Sequence, residues 1–276
     1  IDFLDPENIK SMEILKDAAS AAIYGAEAGN GVVLITTKTG AAGEGKIFFN
    51  AQSSVSNLAK KVDLLNAQEY TTYLLEAAPE RLEDLNRYYY NEPSSYVNNK
   101  PADTDWIDEF YETGIRQRYN LGFQGGNENG NYFVSLNYLD HDGIVVGSQD
   151  SYERFTTQLN GEYKVKKWLD IGTTASIEKS ISTKVAENGM WYGATMSTLS
   201  LMDPITPVKY EDGENGVSPW VLDALDRGDK PVKDPATGNY YGVSYWTGEN
   251  PLASFQYDNR YTKNFGVNGT LYANFK

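Results

Sequence analysis

The chain has 276 residues, 38 of them acidic and 24 basic, for a formal net charge of −14, with one histidine and no cysteine. That balance argues against a nucleic-acid partner, which needs clustered Lys and Arg, and offers no polybasic route to an anionic membrane surface. The missing thiols exclude disulfides, thiolate metal sites and a cysteine nucleophile; a lone imidazole excludes a multi-histidine zinc site. No run of about 18 apolar residues is long enough for a transmembrane helix. The mean hydropathy of −0.53 nevertheless fits a transmembrane β-barrel as well as a water-soluble fold, because only alternate barrel residues meet lipid.

The opening Ile1-Asp2-Phe3-Leu4 has neither an initiator Met nor a signal peptide and reads as the interior of a longer chain. Asp5 and Pro6 open a short helix, with Asp5 as N-cap and Pro6 at its first position. Ser11 to Leu15 alternates and predicts a strand. Asp17 precedes a helix-forming run, 18–24, which Gly25 ends. Val32 to Thr37 is β-branched and predicts a buried strand. Residues 1–43 are thus expected to be a small α/β piece.

From Lys46 the pattern changes to period-two alternation. Ile47, Phe49, Ala51 and Val55 share one face against Asn50, Gln52 and Ser54. The same alternation recurs around Tyr119–Phe123, Tyr132–Tyr138, Phe155–Val165, Leu169–Ile177 and Phe265–Phe275, giving six strands. The second and third are joined by Asn127-Glu128-Asn129-Gly130, a tight hairpin signal, and the fourth and fifth by Lys166-Lys167-Trp168. The other connections, about 57–113, 140–150 and 182–261, are long. In a meander this alternation puts every short turn at one end and every long loop at the other, as in transmembrane barrels. One face is Asn, Gln, Thr, Ser and Gly, suited to a wet lumen, and Tyr119, Tyr138, Tyr163, Trp168 and Phe275 fall near strand ends, where aromatic girdles form. The competing architecture is a soluble β-sandwich with the apolar face as core; the loop asymmetry favours the barrel. Six strands do not close a barrel around a separate α/β piece, which takes about 22. The expected fold is therefore mainly β, part of a plugged antiparallel transmembrane barrel.

The block from Asp5 through Ile14-Leu15-Lys16-Asp17-Ala18-Ala19-Ser20-Ala21-Ala22-Ile23-Tyr24-Gly25, continued by Asn30-Gly31-Val32-Val33-Leu34-Ile35-Thr36-Thr37-Lys38, resembles the end of the plug domain in SusC/RagA-type TonB-linked outer-membrane proteins. Trp106-Ile107-Asp108-Glu109-Phe110 with Thr113-Gly114 is similar to that family's entry into its second strand. Gly125-Gly126-Asn127 with Asn131-Tyr132-Phe133-Val134-Ser135-Leu136, and Tyr163-Lys164-Val165 with Trp168-Leu169-Asp170-Ile171-Gly172, are similar to its first two periplasmic hairpins. One position departs: Glu27 stands where relatives usually carry Arg or a small residue. The resemblance makes Asp17, Tyr24, Gly25, Asn30 and Gly31 a plug signature, and residues 46–276 the first six barrel strands. It implies a bacterial outer-membrane importer of an oligosaccharide or peptide, surrounded by outer-membrane lipid and capped by a SusD-like lipoprotein. The inner-membrane TonB complex would drive it through a segment upstream of Ile1. No cofactor, metal, nucleic acid or catalytic residue is implied.

Other motifs are weighed against plainer readings. The glycine-rich stretch Gly25 to Gly31 lies between helix and strand, the reverse of a phosphate loop, and no Gly-Lys-Ser/Thr follows. His141, between Asp140 and Asp142, is expected to be a solvated turn residue rather than a base or ligand. Asp103, Asp105, Asp108 and Glu109 suggest a calcium site or a glycosidase pair, against a solvated loop face. Trp106, Trp191, Tyr192, Trp220, Tyr241 and Trp246 lie in the two longest connections. They are candidates for stacking on a ligand or partner, or for small cores inside the loops. Two other functions stay open: a soluble or surface β-rich glycan-binding module, motivated by the aromatic loops, and a glycoside hydrolase, motivated by the acids.

Overall fold

A computed structural model describes residues 4–17, 22–92, 96–97, 100–185, 199–210, 218–244, 250–255 and 260–276. Asp5 caps the 3-10 turn Pro6–Asn8, its carboxylate accepting the Glu7 N–H at 3.0 Å. The strands β1 (Ile9–Leu15) and β2 (Val32–Thr37) then pair as an antiparallel two-stranded sheet. Of the expected helix 18–24, residues 18–21 lie outside the described residues, and Ala22–Tyr24 is a 3-10 turn rather than an α-helix. Gly25 (φ 75°) and Gly31 (φ 96°) bracket a second 3-10 turn, Ala26–Asn30, in backbone that glycine adopts without a Cβ clash. The expectation that β2 is buried is corrected. Val33 and Leu34 are exposed, because β2 has only β1 as a neighbour.

The six alternating segments all form strands. They are β3 (Gly43–Ser56), β6 (Gly114–Asn127), β7 (Gly130–His141), β8 (Tyr152–Lys166), β9 (Leu169–Thr183) and β10 (Tyr261–Phe275), hydrogen-bonded in chain order as one antiparallel meander. A short hairpin of β4 (Tyr96–Val97) and β5 (Lys100–Pro101) lies within the first long loop. The first strand starts at Gly43 rather than Lys46, with a register shift between the two. His141 is the last residue of β7, opposite Arg116 and Tyr152, and not in the turn where the sequence put it. Residues 128–129 and 167–168 make the two short turns; residues 57–113, 142–151 and 184–260 make the long connections at the other end.

The polarity of this sheet is inverted relative to a soluble sandwich. Asn120, Asn137, Thr156 and Glu178 lie in one continuous cross-strand row and are buried. Ser135, Gln158 and Ser176 form the next row and are buried too. On the other face Phe49, Leu159, Ile177, Val267 and Leu271 are exposed, Leu271 at 86%. A soluble core would hide these side chains first. Along β10 the apolar face runs from Phe265 to Phe275, about 33 Å of strand at about 3.3 Å per residue. Tilted by about 40°, that is a band about 25 Å tall, the height of a barrel's lipid-facing belt. Aromatic pairs mark both edges: Tyr119 stacks on Tyr138 (6.5 Å between centroids) toward the loops, and Trp168 on Phe275 (6.0 Å) at the turns. On the inner face glycines make room for rings. A Cβ at Gly122 would fall 1.9 Å from the Phe48 ring, and one at Gly172 would fall 2.2 Å from that of Tyr272.

The three long connections pack on one another. The helices are α1 (Ala67–Ala77), α2 (Leu82–Leu85), α3 (Trp106–Phe110), α4 (Pro219–Asp226) and α5 (Pro251–Ser254). Asn66 and Glu69 form a reciprocal capping box on α1; Asp105 caps α3, and Asn250 caps α5. Trp106 and Phe110 of the first loop, Val145 of the second, and Leu199, Met202, Tyr241, Leu252 and Ala253 of the third form one apolar cluster.

Candidate functional site

Two surfaces carry the candidate residues: the polar wall of the large sheet with the N-terminal segment docked on it, and the cap formed by the loops. The dock is made by directional contacts between residues far apart in the chain. Asp5 accepts from Arg154 Nη2 at 3.0 Å, with only 1% and 10% of the two side chains exposed. Asn160 Nδ2 donates to Thr37 Oγ1 (3.2 Å) and to the carbonyl of Lys38. The Lys38 ammonium lies 5.9 Å from the Phe48 ring centroid, a cation–π distance. The sheet and the N-terminal segment thus meet through amides, hydroxyls and one buried ion pair.

Of the signature residues, Gly25 and Gly31 shape the backbone, and the Gly31 N–H donates to Ala28 at 2.9 Å. Asp17, Tyr24 and Asn30 are exposed, so the described structure does not bring them to the wall. The side chain of Glu27 lies outside the described residues.

In the cap, Trp106 is 1% exposed and its Nε1–H donates to the Asp203 carbonyl at 2.9 Å; Tyr241 is also buried. These two take the packing role. Trp220 is half-buried, its ring stacked on Tyr88 at 4.1 Å between centroids. The Tyr88 hydroxyl donates to Asp223 (2.5 Å), and the Arg87 guanidinium lies 4.7 Å from the Tyr88 ring. Burial first, and Asp223 second, push the Tyr88 phenol up to about 12. This clasp ties the first long loop to the third. Beneath it a narrow crevice is lined by Tyr70, Tyr88, Tyr89, Tyr210 and Trp220. Trp191, Tyr192 and Trp246 lie outside the described residues.

Three of the four candidate acids, Asp103, Asp105 and Asp108, have structural partners. Asp103 accepts from the Ala67 N–H at 2.8 Å. Asp105 caps α3 and, like Asp108, pairs with Lys61. Burial pushes the Asp105 carboxyl up, but Lys61 and the helix N–H groups outweigh it and leave it lowered. Among the described residues no group of three or more His, Cys, Asp or Glu side chains is placed to hold a metal ion. Sequence reasoning missed Asp203. Burial raises its carboxyl, against the pull of the Thr206 and Ser244 hydroxyls that bond it. Thr206 lies three residues on in the same turn, but Ser244 is 41 positions away and no local signal connects it to Asp203.

Asp234 supplies a pH test of the cap. Lys209 Nζ (2.8 Å), the Ala236 N–H (3.0 Å) and the Thr237 hydroxyl (2.9 Å) hold its carboxyl down at about 2. A lowered carboxylate contributes stability above its unfolded range, and that contribution is lost as pH falls from about 4 to about 2. Pepsin cleavage within 208–241 is expected to accelerate over that interval. In Asp234→Asn it is expected to be faster throughout and free of the acid step; an unchanged step would show that another group carries it.

No protein-family model matches the chain. It is 32% identical over 250 residues to TonB-dependent receptor P3 of Formosa agariphila, a match covering 86% of this chain and 23% of that protein. It is 34% identical over 161 residues to TonB-dependent receptor SusC of Bacteroides thetaiotaomicron, covering 58% of this chain and 15% of that one. The chain therefore spans less than a quarter of the length of these relatives. Its backbone superposes on the RagAB peptide importer in the open-open state with a TM-score of 0.72 at 20% identity, over 99% of this chain and 30% of that one. A second RagAB peptide transporter structure gives 0.70 at 21% identity, over 99% and 31%.

Proposed function

The chain belongs to the TonB-dependent receptors of the SusC/RagA type, and from that premise we propose that it serves active import of a large nutrient, an oligosaccharide or peptide, across a bacterial outer membrane. In this reading residues 1–43 are plug and residues 46–276 are barrel wall and external loops. A SusD-like lipoprotein sits on the cap, and the TonB complex supplies the work that loosens the plug. The observation that carries the proposal is the inverted sheet: a polar face buried under the N-terminal segment and an apolar face left bare over a bilayer-sized band. A glycan-binding module that folds in water would expose the opposite faces. Of the acids that motivate a glycosidase, Asp103 is committed to the α1 N-terminus and Asp105 and Asp108 to Lys61.

The test is uptake by the organism that makes the protein. The full-length receptor is expected in the outer-membrane fraction as a heat-modifiable species of about 100 kDa, the size implied by some 22 strands plus a plug. Deleting it is expected to abolish growth on one class of polymeric nutrient, and deleting the lipoprotein gene or the TonB motor to do the same. Full-rate uptake without the lipoprotein would remove the partner from the proposal; full-rate uptake without TonB would remove the transport mechanism.

A further inference from the structure

Most of the charged groups described in the cap are already engaged. Asp103, Asp105, Asp108, Asp223 and Asp234 each hold a helix end, a cation or a turn. On the wall beneath, Arg154 is matched by Asp5. Arg116 and Arg118 are different. Both belong to the inward set of β6, since Arg118 lies opposite Gln52 and Leu139, Leu139 opposite Arg154, and Arg116 opposite Ser54 and His141. Among the described residues neither makes an ion pair. The Arg118 Nε is buried and has no hydrogen-bond partner, which is costly for a group that is always charged.

Their height on the wall gives this meaning. The N-terminal segment contacts the wall from the row of Arg154 down to that of Asn160. Arg118 lies in the Arg154 row, at the loop-side edge of the dock, and Arg116 one row nearer the loops, so both stand where a solute coming from the loops would first reach the docked segment. Arg116 and Arg118 are about 7 Å apart along one strand. That is a spacing for successive charged groups of an oligomer, not for one small ion. Arg118 is half-buried and Arg116 exposed, and the forked donors of guanidinium groups favour planar oxyanions.

We propose that Arg116 and Arg118 form an oxyanion-selective subsite, so that the imported oligomer carries carboxylate or similar anionic groups. This rests on the transport reading above and narrows its substrate class. The same chemistry comes from acidic peptides or from uronate oligosaccharides, and the test separates them. Binding to the purified full-length receptor is measured for two matched pairs: a hexapeptide containing four Asp against its Asn counterpart, and tetragalacturonate against its methyl ester.

One acidic member is expected to bind at least tenfold more tightly than its neutral twin at low salt, the preference shrinking as NaCl is raised. The identity of that member names the source. Arg116→Gln with Arg118→Gln is expected to reduce the preference to less than threefold, while Arg116→Lys with Arg118→Lys keeps part of it; heat-modifiability of each variant checks its fold. Equal binding within both pairs, or a preference that survives the double Gln variant, overturns the subsite. Receptor-dependent growth on a neutral polymer, unchanged in the double Gln variant, overturns it too while leaving the transport reading intact. Loss of no uptake on deleting the receptor would instead sink the transport reading.

Discussion

Trp106→Ala is expected to weaken the loop cap by about 3–5 kcal/mol, the range for removing a large buried aromatic side chain. The indole belongs to the cluster that joins all three long connections, and its loss also removes the shorter of two hydrogen bonds to the Asp203 carbonyl, the other coming from the Thr206 N–H. Because the barrel wall is held by its own ladder of backbone bonds, the loss should be local. Trypsin cleavage in loops 57–113 and 184–260 of the full receptor is expected to rise by about 100-fold or more, with the strands still protected. Trp106→Phe keeps most of the volume and should fall between wild type and Ala. Unchanged loop protection in the Ala variant would mean that the three connections do not share a core.

Arg154→Ala is expected to loosen the N-terminal segment by about 3–5 kcal/mol, because it leaves the Asp5 carboxylate buried without its cation. Asp5→Asn should cost less. The amide oxygen can still accept from the Glu7 N–H and hold the turn at Pro6–Asn8, and the charge that needed Arg154 is gone. Joining Asp5→Asn to Arg154→Ala should therefore be milder than the sum of the single changes. Hydrogen exchange at the β1 amides, residues 9–15, in the full receptor reads the effect. A coupling below about 0.5 kcal/mol in the double-mutant cycle would show that the pair does not hold the segment.

These two sites also show what the sequence discloses. The six strands were legible because Ile47, Phe49 and Ala51, and their counterparts in each later strand, repeat at the period a pleated chain imposes; loop lengths then fixed their order. Alternation alone is shared by a sandwich and a barrel; the alternation of short turns and long loops favoured the barrel, with its polar face inward. The burial of Asn137 and Thr156 beside the exposure of Phe49 and Leu271 agrees with that expectation. For Trp106 the sequence left ligand stacking and a loop core both open, because the core neighbours Leu199, Met202 and Leu252 lie more than 90 positions away in segments without periodicity. Asp5 and Arg154 are separated by 149 positions, and no local rule connects a turn cap to a strand residue at that distance. The run 32–37 misled in the opposite direction: β-branched residues specify a strand, but burial needs neighbours that β1 alone does not provide.

The row of amides and hydroxyls between wall and N-terminal segment also sets how the two would part under load. Buried polar atoms there, including Asn120 Oδ1, Ser135 Oγ, Gln158 Oε1 and Asn8 Oδ1, have no hydrogen-bond partner among the described residues. Sliding such a seam apart uncovers groups that water bonds at once and very little oily surface, so no surface-tension-like resistance builds up over distance. Resistance is concentrated in a few short-range contacts, the Asp5–Arg154 bridge and the Asn160 bonds, each of which fails within about 1 Å of stretching because hydrogen bonds weaken steeply beyond their optimal length. The seam should behave as a brittle joint, stiff until a threshold pull and then free, so that a brief tug clears it where a greased interface would demand sustained work along its whole length.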